Sequence, residues 1–229
     1  MMPFPGGLSA TANGLVLFSA IAAILYGLML YRPVSWRRTA AKTLAVFLLA
    51  LAAWERDGPL LLVAALLLGA LGDAFLAHDG EKAFLGGLAS FLAAHLAYVV
   101  LFWSTGDGLA GALDNPRKIV LAVMIAVLCV ALLRKMWPGV PGELRIPVVA
   151  YVAAILAMAF TALTHHHPAV ILGASLFVVS DAILAAEKFL FAPDAPQRAW
   201  SGYAVWILYY VAQLMIALGI LGAYWTLSG

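Results

Sequence analysis

The chain reads as an all-α, polytopic bundle of eight transmembrane helices. Hydrophobic residues make up 65% of its 229 positions and charged residues only 10%, with a mean hydropathy of +1.02. A soluble domain carries about 25% charged residues, so a chain this apolar is solvated by lipid. The apolar residues also fall into eight runs of roughly the 20 residues that a spanning helix needs, each bounded by charge, proline or glycine. These runs are Asn13–Tyr31, Trp36–Trp54, Pro59–Ala77, Ala83–Ser104, Pro116–Leu133, Ile146–Leu163, Pro168–Leu190 and Trp200–Leu227.

The boundaries have local causes. Pro59, Pro116, Pro147 and Pro168 stand at or beside helix starts, where a missing N–H is harmless. Trp36, Trp54, Trp103, Trp137, Trp200 and Trp225 lie near run ends, as interfacial anchors do. The connections are short, so residues 1–229 are expected to form a single membrane domain. The first run has no basic segment before it and reads as a retained helix. Compact loops and the absence of targeting extensions point to a bacterial inner membrane.

Charge patterning excludes some functions and orients the bundle. The net charge is +2, and the basic residues are scattered through loops, unlike a nucleic-acid footprint. Cys129 is the single cysteine, which excludes disulfide staples and thiolate metal sites. Loops after the odd-numbered runs, with their flanks, hold ten basic residues: Arg32, Arg37, Arg38, Lys42, Lys82, Arg134, Lys135, Arg145, Lys188 and Arg198. The opposite side holds three, Arg56, Arg117 and Lys118. This asymmetry predicts both termini outside and the basic loops in the cytoplasm.

The informative polar residues are Asp73 and Asp181. Each lies in a near-identical phrase, Gly72-Asp73-Ala74-Phe75-Leu76-Ala77 and Ser180-Asp181-Ala182-Ile183-Leu184-Ala185. A charged side chain at membrane depth costs about 3 kcal/mol, so it is expected to face a cavity or partner. The phrases fall in the third and seventh runs, equivalent places in halves 13–104 and 116–227. That fits two parallel four-helix repeats. Convergence on small-residue helix packing is the alternative, since Gly69, Gly72, Gly173, Ala174 and Ser180 let these two helices pack closely.

Other polar residues share that depth. Lys42 opens the second run; His95 and Tyr98 lie mid-fourth; Tyr209, Tyr210 and Gln213 lie mid-eighth. His95 and Tyr98 are spaced i, i+3, as are Tyr210 and Gln213; Tyr209 and Gln213 are i, i+4. One pocket in the midplane or cytoplasmic half would gather them. Each also has a structural reading. An aspartate would pair with Lys42, or Lys42 would snorkel to headgroups. His95 would be a satisfied core histidine, the tyrosines packing residues and Gln213 interhelical glue. Ser180 would bond back to its own helix. The run His165-His166-His167 lacks the i, i+4 spacing of helical metal ligands and reads as a solvated loop.

Three phrases stand in order in the first half: Lys42-Thr43-Leu44, Leu71-Gly72-Asp73-Ala74-Phe75-Leu76, and Phe84-Leu85-Gly86-Gly87-Leu88-Ala89-Ser90-Phe91 leading to His95 and Tyr98. Pro147, Tyr151, Phe177, Ser180-Asp181-Ala182-Ile183-Leu184-Ala185, Phe189, Tyr209-Tyr210 and Gln213 complete the series. Together they resemble the YhhN-like family of membrane proteins, which contains the lysoplasmalogenases. The resemblance implies hydrolysis of the vinyl ether of a lysoplasmalogen to a fatty aldehyde and glycerophosphoethanolamine or glycerophosphocholine. The partner would be that lysophospholipid, with no nucleic acid and no cofactor.

The residue types suit that chemistry. A vinyl ether has no acyl carbon for a serine, and the chain has no Gly-x-Ser-x-Gly elbow. The demanding step is protonation of the alkenyl carbon to an oxocarbenium ion. Glycosidases meet a related demand with paired carboxylates. Two close buried carboxylates push their titrations apart, leaving one protonated. Asp73 and Asp181 would share the acid and base roles if they face each other. His95 would donate a proton or orient water, and Lys42 would bind the phosphate. Tyr98, Ser180, Tyr209, Tyr210 and Gln213 would hold substrate and water, and no metal is required. Two rivals remain at this point: a small-molecule or proton-coupled transporter, which midplane carboxylates also suit, and a metal-dependent lipid amidase or esterase using Asp73, His95 and Asp181.

Overall fold

A computed structural model describes residues 3–7 and 10–228, with side chains to residue 222. All regular structure among these residues is helical. The long helices are α1 (Thr11–Met29), α2 (Trp36–Glu55), α3 (Leu60–Leu76), α4 (Glu81–Thr105), α6 (Pro116–Met136), α7 (Arg145–Ala162), α8 (Pro168–Phe189) and α9 (Arg198–Ser228). A short α5 (Gly108–Leu113) and two 3₁₀ turns, Trp137–Gly139 and Gly142–Leu144, fill the longer connections.

Six of these helices, α1, α4, α6, α7, α8 and α9, are long and apolar enough to cross a membrane. The chain is an integral membrane protein on that basis, but the expected count of eight is corrected. At 17 residues, α3 is about 25 Å long, short of the ~30 Å hydrocarbon core. The second helix places Arg37, Arg38, Lys42 and Glu55 within one stretch, which lowers its hydropathy.

Local chemistry sets the helix ends. Pro59 precedes the first residue of α3, and Pro116 and Pro168 open α6 and α8. Asn115 Oδ1 accepts from the Arg117 N–H at 2.9 Å, satisfying one orphan donor. Trp36, Trp54, Trp103, Trp137 and Trp200 are exposed near helix ends, as anchors require. The Trp225 side chain lies outside the described residues.

Helices α1, α2, α3, α4, α7, α8 and α9 pack in that order, and α9 returns to α2 and α1. Helix α6 lies against α7 and α8. It buries Ile125, Cys129 and Met136 and turns Val120, Val123, Met124 and Val127 outward. Lipid is as apolar as leucine, so close packing rather than water exclusion joins such helices. Glycines provide the approach. A Cβ on Gly72 would lie 2.7 Å from the Phe91 ring, and one on Gly173 2.9 Å from the Ala212 carbonyl oxygen. The small residues of α3 and α8 thus do permit close packing, with α4 and α9 as the partners.

Four connections gather at one end. Tyr31 donates to the Arg198 carbonyl at 2.8 Å, Arg38 to the Ala77 carbonyl at 3.2 Å, and Gly139 sits beside the Phe189 carbonyl. This is the end rich in basic residues. The opposite end holds α5 and the loop before α8, tied by an N–H of Asp107 donating to the Thr164 carbonyl at 3.1 Å.

Candidate functional site

Two polar clusters lie inside the bundle, and they share a register. Asp73 is thirteen residues after Leu60, the first of α3, and Asp181 thirteen after Pro168, the first of α8. The preceding helix supplies each with a partner six residues from its own start: Lys42 after Trp36, and Tyr151 after Arg145. A third member comes from the last helix of the opposite half, Tyr209 of α9 beside Asp73 and His95 of α4 beside Asp181.

In the first cluster, Lys42 Nζ stands 3.7 Å from Asp73 Oδ1 while Tyr209 donates to Oδ2 at 2.7 Å. Gln213 Nε2 donates to the Tyr209 oxygen at 3.4 Å, and Tyr98 donates to Gln213 Oε1. Lys42 also lies 5.5 Å from the Tyr26 ring centroid. The glycine at 69 makes room here, because a Cβ would lie 2.8 Å from Gln213 Nε2. All five polar side chains are buried. The network is one lysine–carboxyl pair extended by neutral donors, a satisfied arrangement for a low-dielectric interior.

In the second cluster, Tyr151 donates to Asp181 Oδ2 at 2.6 Å, and His95 Nε2 stands 3.7 Å from the same oxygen. Neither ring nitrogen of the fully buried His95 meets full hydrogen-bond geometry; its polar neighbours are the Phe91 backbone one turn earlier and Asp181. The imidazole is also held by ring contacts, edge-on to Tyr151 at 5.1 Å and Phe177 at 4.8 Å.

Phe91 and Phe177 stand between the clusters. Their ring centroids are 5.5 and 5.4 Å from that of Tyr209. No hydrogen bond or ion pair joins Asp73 to Asp181 among the described residues.

A cavity opens on the Asp181 side. It lies between α4, α6, α7 and α8, and its empty space, counting the open mouth, is about 800 Å³. Phe91, Cys129, Leu133, Ile155 and Val178 are among its apolar walls. Asp181 and Tyr151 are its polar lining, with Lys188 the one cation among the lining residues. The cavity is therefore an apolar slot with one carboxyl inside.

The structure therefore divides the sequence-predicted site. Asp73, Lys42, Tyr98, Tyr209 and Gln213 come together, and Asp181 joins His95. Two residues go elsewhere. Tyr210 bonds Ser19 at 2.9 Å and stacks on Trp206, facing α1. Ser180 donates to the Val205 carbonyl of α9 at 2.9 Å, so it bonds across helices rather than within its own. Tyr151 and Lys188 enter the site from outside the expected list. The signal for Tyr151 was its depth, matching that of Lys42 in the other half.

The histidine run is only in part a solvated loop. His165 is buried, 3.3 Å from Thr105 Oγ1 and edge-on to Phe102. His166 is exposed between Asp107 at 3.2 Å and Asp114 at 3.4 Å. His167 Nδ1 caps α8 by accepting from the Ala169 N–H at 3.3 Å. Among the described residues, no group of three His, Cys, Asp or Glu side chains is placed to hold a metal ion.

A model of the YhhN family matches residues 37–220. The chain belongs to the YhhN family. The matched segment contains every member of both clusters. Three curated relatives are named lysoplasmalogenases. That of Mycobacterium bovis is 32% identical over 162 residues, covering 69% of this chain and 59% of its own length. TMEM86A of Bos taurus is 32% identical over 163 residues, covering 67% and 62% respectively. TMEM86B of Homo sapiens is 31% identical over 191 residues, covering 82% and 76%. The match thus spans about three fifths of the mycobacterial and bovine proteins. No solved structure matches this YhhN-family chain.

Proposed function

We propose that the chain is a lysoplasmalogenase-type hydrolase, cleaving the vinyl ether of a lysophospholipid bound in the α4/α6/α7/α8 cavity. The supporting observation is Asp181, a carboxyl with a neutral hydrogen-bond donor inside an apolar slot. The names of the relatives point the same way.

The two aspartates take unequal parts. Lys42 faces Asp73 and makes it the charged member. Asp181 has no lysine or arginine partner and is the proton carrier. Tyr151 occupies Oδ2, which leaves Oδ1 for the acidic proton. Asp181 transfers that proton to the alkenyl β-carbon, and the ether oxygen shares the resulting cation. Water adds to the α-carbon, giving its proton back to Asp181. The hemiacetal then breaks its bond to the glycerol oxygen, which takes the hydroxyl proton, and fatty aldehyde leaves. His95, 3.7 Å from the same carboxyl, orients the water through a ring nitrogen. Asp73, Lys42, Tyr209, Gln213 and Tyr98 brace Phe91 and Phe177, the wall between the two clusters.

The shared register of the clusters supports a parallel duplication of α1–α4 and α6–α9. The basic end then faces the cytoplasm.

Hydrolysis in D2O tests the reaction. Carbon protonation places one deuterium on the carbon next to the aldehyde. Aldehyde released without that label, beyond solvent exchange, contradicts the mechanism. Uptake into proteoliposomes without cleavage would favour a transporter.

A further inference from the structure

We propose that Lys188 is the residue that recognises the substrate's phosphate, so that the cavity selects phosphate-bearing single-chain ether lipids over the corresponding neutral glycerol ethers. This deepens the proposed function and rests on it.

The argument begins with Lys42, where the sequence placed the phosphate. Lys42 is buried, already faces Asp73 at 3.7 Å, and is absent from the cavity lining. An incoming phosphate would have to displace a carboxylate that has no other cation. Lys188 differs on each count. It lines the cavity and is exposed at the basic end of α8. The neighbouring ion pair, Arg198 with Glu187 at 3.6 Å, leaves it out. Its ammonium lies 4.5 Å from the Phe84 ring centroid. That contact holds the side chain over the mouth while leaving its N–H donors for an anion.

Spacing along α8 supplies the second reason. Asp181 and Lys188 are seven residues apart, two turns, so they share a face of the helix about 10.5 Å apart along its axis. In a lysoplasmalogen, seven bonds lie between the alkenyl β-carbon and phosphorus, about 8 Å when extended at the ~1.2 Å per bond of an extended chain. A phosphate oxygen and its hydrogen bond to an ammonium cover the rest. With the β-carbon at Asp181, the phosphate reaches Lys188. The pair acts as a ruler that places the vinyl ether at the acid. The simpler role for Lys188 is contact with bulk lipid headgroups, and the two roles give different binding data.

The test uses purified protein in a neutral detergent and two ligands that cannot be cleaved, a saturated 1-O-alkyl lysophosphocholine and the 1-O-alkylglycerol of equal chain length. Binding is read by titration calorimetry for wild type, Lys188→Met and Lys188→Arg. Wild type is expected to bind the phosphate-bearing ligand about tenfold more tightly, the scale of one charge-assisted hydrogen bond. Lys188→Met should bring the two affinities within about twofold by weakening only the phosphate-bearing ligand, and Lys188→Arg should keep most of the preference. A preference that survives Lys188→Met overturns the assignment and leaves the cavity reading intact. Equal binding of both ligands by wild type also overturns it. Binding of neither by folded wild type overturns the cavity reading, and the assignment with it.

Discussion

Tyr151 donates a 2.6 Å hydrogen bond to Asp181 at the register where Asp73 faces Lys42. A neutral donor and a cation do different things to a carboxyl. The cation fixes a charge; the phenol fixes an orientation. On the proposed reading, this one exchange gives two similar aspartates different tasks.

Loss of the phenol should slow the reaction without unfolding the protein. Tyr151→Phe keeps the ring against His95 and deletes the donor, an effect of about 1–3 kcal/mol on the group left behind. Turnover is expected to fall about tenfold with KM changed less than about threefold, since the bond acts on the acid and not on the lipid tail. Steady-state kinetics on a lysoplasmalogen check this. An unchanged kcat would remove Tyr151 from the mechanism.

The Lys42–Asp73 pair should matter most to stability. Removing one partner of a buried ion pair costs about 3–5 kcal/mol, because the other charge is left uncompensated. Asp73→Asn and Lys42→Met are each expected to destabilise on that scale, and the double variant by clearly less than their sum. Denaturation in detergent gives the cycle. Additive losses would show that the two side chains do not act as a pair.

Cys129 reports on the cavity directly. It is the only cysteine in the chain and lines the wall that α6 contributes. Alkylation by N-ethylmaleimide should slow several-fold when a long-chain alkyl lysophospholipid is present. A short-chain analogue should protect less. Equal rates with and without lipid would place the ligand elsewhere.

A pH effect is expected at the opposite end. Burial beside Phe102 lowers the His165 pKa from its ordinary value, against the smaller upward pull of the Phe102 backbone and Asp107; His166 and His167 add to the lowering. A lowered histidine pKa favours the neutral form in the folded state. Its stabilisation is therefore present above about pH 6.5 and is lost as pH falls towards the folded value. Tm should decline between about pH 7 and pH 5, and His165→Leu should flatten that slope. The same slope in the variant would exclude His165 as its source.

Much of the fold was legible in the sequence because lipid imposes simple rules. Long apolar runs become helices, and prolines and tryptophans mark their ends. The count of eight spans exceeded what length and composition support, since hydropathy is a property of each run and α2 and α3 are marginal. The polar residues were legible as a set: Lys42, Asp73, Tyr98, Tyr209 and Gln213 do meet. Their division was not. Whether Asp73 and Asp181 share a space depends on where the rings of Phe91 and Phe177 fall, and apolar residues carry no such label in sequence. Adjacent Tyr209 and Tyr210 point to different partners because neighbours on a helix do not share a face.

The most direct measurement is aldehyde release from a lysoplasmalogen by purified protein in detergent, comparing wild type with Asp181→Asn at matched folding. Asn keeps the shape of the side chain and cannot deliver the proton. Release by wild type that falls at least about a hundredfold in Asp181→Asn, the scale of a lost general acid, is the expected result. No release by well-folded wild type, or undiminished release by Asp181→Asn, would contradict the assignment of Asp181 as the acid of a vinyl ether hydrolase.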